Sequence, residues 1–253
     1  MAFQPIVDLA AGRLYGYEAL VRGAGGEGAA DVLARVNADN RYAFDQACRT
    51  TAIRMAAEAG LTGYLSINFL PNAVYEPAAC IAVTLRAAEE WNFPLDRIVF
   101  EVSESEEVLD PAHLRRIFDE YRRRGFRTAL DDFGTGFSNL RLLADLQPDV
   151  VKLDRSLVHR IERDRGRRAI MRALLALAQD LGMTLVAEGV ETGDELSVLA
   201  DLGIRHFQGY LVARPTLGTL PAVDFAALEA ARFEAFERGA GATGVMTARG
   251  RRP

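Results

Sequence analysis

Short apolar runs alternate along this chain with longer segments in which apolar residues return every three or four positions. The runs occupy residues 3–9, 14–21, 64–69, 97–102, 127–133, 150–154, 184–190 and about 206–212. They are brief, rich in Val, Ile, Leu and Phe, and read as buried strands. Segments such as IMRALLALAQDLGM, residues 170–183, carry the period of an amphipathic helix. Strand followed by helix, repeated, predicts a parallel β/α architecture. The first two runs depart from that rule. Only the AAGR turn separates them, so they pair antiparallel. The chain is therefore expected to form an α/β fold, a modified (β/α)8 TIM-like barrel with one antiparallel strand near the N-terminus. Its 253 residues suit a single barrel of about 250.

Local signals sharpen the boundaries. Asp110 followed by Pro111 reads as an N-cap and first helical position. The helix it opens runs through Arg122, Arg123 and Arg124, cations at its negative end, and stops at Gly125. Thr192 and Glu195 have the spacing of a capping box. No Gly/Ser/Pro linker divides the barrel, so residues 1–237 are expected to be one domain. From residue 238 the composition turns to Gly, Ala, Thr and Arg, and 238–253 is expected to be a disordered tail.

Composition excludes several classes. The net charge is −5, from 30 Lys plus Arg against 35 Asp plus Glu, which argues against a general DNA binder. No apolar run reaches the ~18 residues of a membrane span, and no secretory signal precedes the first strand. Cys48 and Cys80 have neither disulfide-framework nor zinc spacing, and they read as helix-packing residues of a protein in the reducing cytoplasm. Trp91, Phe118 and Tyr121 are expected to pack, and the three histidines are not needed as ligands.

The chemistry lies in polar residues set within apolar strands. Glu18 falls in YEAL, Asn68 in LSINF, Glu101 in IVFEVSE, Asp131 and Asp132 in TALDDF, Lys152 in VVKLD, and Glu188 in LVAEGV. Buried charges are costly unless paired or on a metal, and the C-terminal ends of barrel strands are where chemistry is done. The carboxylates bring −5 and Lys152 brings +1, so two divalent cations would neutralise the set. All-oxygen donors, the Asn68 amide included, suit Mg²⁺ or Mn²⁺ and not zinc. Asp131 and Asp132 would point to opposite faces of a regular strand. Both reach a metal only if the strand ends there, with Gly134 and Gly136 supplying the turn. Two such cations favour in-line displacement at phosphorus.

The ordered blocks QPIVDL, YEALVR, IN, EVSE, DDFGTGFSNL, VKLD, AEGVE and QGYLVARP resemble the EAL domain family of cyclic-di-GMP phosphodiesterases, from Gln4 to Pro215. The resemblance implies metal ligation by Glu18, Asn68, Glu101, Asp131, Asp132 and Glu188, with Asp131 bridging. It places Lys152 beside the attacking water, to orient or deprotonate it, and makes Glu18, Asp131, Lys152 and Glu188 the catalytic set. Glu104 would hold the DDFGTG loop, Arg22 would grip a substrate phosphate, and Gln4, Glu191 and Gln208 would lie near substrate or metals. Asp45 is given a supporting role. The implied reaction is hydrolysis of cyclic di-GMP to linear pGpG with two divalent cations, Mg²⁺ or Mn²⁺. The implied partners are a second copy of the chain, as a homodimer through the region of DDFGTGF, and a sensor domain in a longer parent protein. A catalytically inactive domain that acts as a cyclic di-GMP receptor or a protein-interaction module is the competing expectation. After Arg22 a glycine-rich stretch, Gly23 to Gly28, replaces the aromatic and proline usual in the family. ALVRG followed by NRYAFDQACR is closest to EAL domains attached to blue-light sensors.

Overall fold

The structure, a computed structural model, describes residues 1–104, 110–135 and 140–248, with side chains described to Arg238. Its strands are β1 Ala2–Asp8, β2 Arg13–Leu20, β3 Tyr64–Asn68, β4 Ile98–Ser103, β5 Arg127–Phe133, β6 Val150–Leu153, β7 Thr184–Ala187, β8 His206–Phe207 and β9 Thr216–Leu217. From β2 to β8 each strand pairs in parallel with the next. β1 lies antiparallel between β8 and β2 and closes the ring, and β9 adds to its margin. The expected barrel and its one reversed strand are both present.

The anticipated caps hold the helices. The Asp110 carboxylate accepts from Ala112 N at 2.9 Å and opens the helix Pro111–Arg123. Thr192 and Glu195 exchange side-chain and backbone hydrogen bonds at the start of the helix Gly193–Leu202. Phe118 and Tyr121 are fully buried between helix and barrel, as expected of packing residues.

Two expected segments differ. The runs 184–190 and 206–212 leave the sheet early, at Ala187 and Phe207, because their ends turn into loops over the C-terminal face of the barrel. Separately, at the C-terminus the helix Phe225–Ala248 runs across residues 237/238. Its packing through Leu228 and Ala235 anchors the first turns, and extending a formed helix costs far less than starting one.

Cys48 and Cys80 are both free thiols, Cys80 fully buried. Burial pushes the Cys48 thiol up to about 11. At pH 8 its thiolate fraction is then roughly two hundredfold below that of an unperturbed cysteine. The folded protein should resist iodoacetamide at pH 8 under conditions that fully label it in denaturant. Mass spectrometry reads the result, and rapid alkylation of the native chain at Cys48 would contradict the burial.

Candidate active site

Side chains alternate along a strand, so inward-facing residues stack in layers two positions apart. Ile6, Val99, Ala129, Val150 and Val186 form an apolar layer inside the barrel. Two positions on toward the C-terminal ends of the parallel strands stand Glu101, Asp131, Lys152 and Glu188. On reversed β1 the same step runs backward, from Ile6 to Gln4. The register sets Gln4 opposite Glu18 and Asn68 opposite Glu101. One pleat therefore separates a dry layer from a charged one.

Lys152 is the hub of the charged layer. Its Nζ lies 3.1 Å from Glu18 Oε2, 3.0 Å from Glu101 Oε2, 3.1 Å from Asp131 Oδ1 and 2.8 Å from Glu188 Oε1. Burial alone would lower its pKa. The surrounding carboxylates, Asp131 and Glu101 foremost, outweigh burial and hold the ammonium well above its ordinary value. Burial pushes Glu101 and Glu188 above the usual carboxylate range, and Lys152 offsets only part of that rise. Glu18 is pinned from three sides. Besides Lys152, Asn68 Nδ2 donates to its Oε1 at 2.8 Å, and Gln208 Nε2 donates to its Oε2 at 2.7 Å. Gln208 also reaches Gln4 Oε1 at 3.2 Å.

The two adjacent aspartates solve the alternation problem differently from the expectation. β5 does not end at them but continues to Phe133, with a register shift against β6 between Leu130 and Phe133. Asp132 sits at φ +56°, a left-handed conformation that Asp tolerates better than most residues. That twist turns its carboxylate back to the side of Asp131. Ser103 Oγ donates to Asp132 Oδ2 at 2.8 Å, and Asp132 N donates to Asp131 Oδ1 at 2.8 Å. Gly134, at φ +109°, then makes the turn, and its N–H donates to Glu104 Oε2 at 2.9 Å. Gly136 lies outside the described residues.

Asn68 is positioned from behind by a buried ion pair. Arg49 Nε lies 2.7 Å from Asp45 Oδ2, the guanidinium donates to Tyr121 Oη at 2.7 Å, and Phe69 and Phe100 flank it. Asp45 Oδ1 accepts from Leu70 N at 3.0 Å, which fixes the chain two residues past Asn68. Arg49 was not singled out from sequence, because an arginine in RTTAIR reads as a surface residue.

Of the expected site residues, all but Arg22, Asn68, Glu101 and Glu104 line a cavity of about 300 Å³ at the barrel mouth. Glu101 lies beneath it and Asn68 beside it. Arg22 stands apart, its guanidinium donating to Val21 O at 2.7 Å. The cavity also takes in Asp154, Arg155 and Tyr210, to which sequence reading assigned no role. The three histidines find partners outside this carboxylate cluster: His159 pairs with Glu195, His113 with Val74 O, and His206 Nε2 lies 3.8 Å from Asp8 Oδ2.

The donor set fits divalent cations. Carboxylate oxygens of Glu18, Glu101 and Asp131 lie within 4.8 Å of one another, and so do those of Asp131, Asp132 and Glu188. Asp131 belongs to both groups, as a bridging ligand must. Glu101 Oε1 is buried with no hydrogen-bond partner among the described residues, an atom whose desolvation a cation would offset. A carboxyl that keeps its proton in the fold, where the unfolded chain has shed it, costs stability as pH rises above the ordinary carboxylate range. Cation binding displaces that proton and is easier at higher pH. Mn²⁺ should therefore raise the melting temperature more at pH 8 than at pH 5.5. Equal shifts at the two values, read by scanning calorimetry, would rule out protonated carboxyls at this site.

With the geometry in place, the comparisons are specific. The sequence model of the EAL domain family matches residues 1–215. A standalone EAL protein from Vibrio cholerae O395, solved in its c-di-GMP-bound form, is similar with a TM-score of 0.86 and 50% identity, covering 89% of this chain and 96% of that one. BlrP1 of Klebsiella pneumoniae, solved with manganese and cyclic diGMP, gives a TM-score of 0.81 at 35% identity, over 86% of this chain and 56% of its own. The cyclic di-GMP phosphodiesterase PA2567 of Pseudomonas aeruginosa is 31% identical over 225 residues, 86% of this chain and 38% of its own. The chain spans between about a fifth and about half of the length of curated relatives it matches, among them the blue light- and temperature-regulated antirepressor BluF of Escherichia coli.

Proposed function

The chain belongs to the EAL domain family, and from that premise we propose that it hydrolyses cyclic di-GMP to linear pGpG with two divalent cations, Mg²⁺ or Mn²⁺. The observation that carries this reading is the convergence on Asp131 of two carboxylate groups, at the mouth of a barrel whose only cation within the charged layer is Lys152 among the described residues. Glu18, Asn68, Glu101, Asp131, Asp132 and Glu188 hold the metals. When bound, the cations acidify a water and offset the charge that develops on the departing 3′-oxygen.

The chain's own residues do the rest. Even with Glu101 and Glu188 holding protons, the carboxylates of the layer outnumber the single charge of Lys152, so without cations the site repels a substrate with two phosphodiesters. Lys152, held protonated by its neighbours, donates to the attacking water and orients it, which favours that role over taking its proton. Glu188 lines the cavity beside Lys152, and its carboxylate accepts the proton of the attacking water as the new phosphorus–oxygen bond forms; the bond to the 3′-oxygen breaks and that oxygen takes a proton from solvent. Gln4, Gln208 and Glu191 line the side where a guanine edge would lie. Arg22, two residues beyond the end of β2, swings from its own backbone to a substrate phosphate.

The reading includes a cytoplasmic protein and a homodimer seated on the helix Leu140–Leu146, whose Leu140 is exposed. No described helix is long and apolar enough to cross a membrane. Light scattering should report twice the chain mass, and Leu140→Glu should return it to the monomer value; a monomeric wild type would remove the dimer from the reading.

The deciding experiment incubates the chain with cyclic di-GMP and Mg²⁺ or Mn²⁺ and follows pGpG by chromatography. Glu18→Ala and Lys152→Met should each lower turnover by at least about a hundredfold, and Ca²⁺, with its looser shell, should not replace Mg²⁺. Binding of intact cyclic di-GMP without product would instead identify a receptor.

A further inference from the structure

The geometry points to Arg155 as a second phosphate clamp, which takes the phosphodiester of cyclic di-GMP that is not being cleaved. This inference rests on the substrate proposed above. It starts from the cations available to a dianion entering the cavity. Lys152 is committed, buried among its ring of carboxylates. The other cationic side chain lining the cavity, among the described residues, is Arg155.

Arg155 is poised rather than locked. Its Nη2 lies 2.9 Å from Glu191 Oε2, a single ion pair with side chains 48% and 37% exposed. Such a pair is weak and its arginine is readily recruited by a stronger anion. Glu191 sets where the guanidinium waits. The backbone makes room for it at Gly189, where φ is +62° and a Cβ would lie 2.7 to 3.0 Å from the Cβ, Cγ and Cδ of Arg155. A side chain at residue 189 would push the arginine off the cavity wall. The free face of a guanidinium fork is matched to the paired oxygens of a phosphodiester.

Topology makes the clamp complementary to Arg22. Around the closed ring, β2 and β6 are four strands apart in either direction. Arg22 follows β2 and Arg155 follows β6, so the two arginines rise from opposite sides of the mouth. A cyclic dinucleotide carries its two phosphates on opposite sides of its ring. One arginine on each side suits that shape and does not suit a linear mononucleotide diester.

The test compares two substrates and needs no assumption about fold. Arg155→Ala should weaken binding of cyclic di-GMP to the Ca²⁺-loaded protein, in which turnover is not expected, by ten- to a hundredfold, read by calorimetry, the loss of a charge-assisted contact. With Mn²⁺, it should lower kcat/KM for cyclic di-GMP at least tenfold more than for bis(p-nitrophenyl) phosphate, which has one phosphodiester and nothing for the clamp to hold. Arg155→Lys, which keeps the charge without the fork, should fall between. The Arg22→Ala and Arg155→Ala losses should multiply in the double variant, because they act on different phosphates. Equal losses on both substrates, no loss on either, or losses that fail to multiply would each overturn the assignment. A wild type that neither binds nor cleaves cyclic di-GMP would instead defeat the parent reading, and a wild type that cleaves it while Arg155→Ala matches it would defeat only the clamp.

Discussion

The attraction between one buried ammonium and the carboxylates around it organises this molecule. Lys152 is 1% exposed and touches four acidic side chains from β2, β4, β5 and the end of β7. Removing such charges from water costs several kcal/mol each, and an interior location is tolerable only when each charge has partners. The ring is therefore as much a constraint on the barrel as a product of it. Strands on opposite sides must keep their register to within the reach of a single lysine. The apolar layer beneath, with Ile6 and Val186 among its members, keeps water out from below. The lysine still leaves the layer strongly negative, so the same arrangement that the barrel tolerates is an arrangement that recruits divalent cations.

The supporting structure carries strain and desolvation away from the reacting end. Asp132 holds a backbone conformation that costs of order 1–3 kcal/mol outside glycine, stabilised by Ser103 on one side and the bulge against β6 on the other. Behind β3, Arg49 has no exposed surface and sits among Asp45, Tyr121, Phe69 and Phe100. A buried pair of this kind adds little to stability compared with a hydrophobic replacement, while losing one partner costs about 3–5 kcal/mol. Its service is geometric, because Asp45 ties Leu70 and thereby limits where Asn68 can point.

Much of this was legible in the sequence. Acidic residues inside apolar strands are rare enough that Glu18, Glu101, Asp131 and Glu188 declare a common destination, and the period of two tells that they face inward. The turn after β1 declares the reversed strand. What was not legible depends on contacts between distant segments. Asp132 was expected to need the end of a strand, because alternation cannot reveal a single residue twisted to positive φ. Arg155 is hidden by the arginines that follow it in RDRGRR, and only the crossing over Gly189 brings it to the cavity. Arg22 shows the converse. Its spacing from Glu18 suggested a side chain at the site, and in the structure it rests on its own carbonyl, outside the cavity wall.

The reversal of β1 has a mechanical consequence. In a barrel of wholly parallel strands the first residue of the first strand lies at the closed end, far from the reacting groups. Here Ala2 pairs with Leu20 while Asp8 pairs with Arg13, so the amino terminus emerges beside the open end, two residues before Gln4 turns inward. Any polypeptide joined ahead of Met1 would pull directly on the strand that carries Gln4 and, through Gln208, on Glu18. A displacement of an ångström at that junction would reach the metal ligands across two hydrogen bonds, with no lever arm needed.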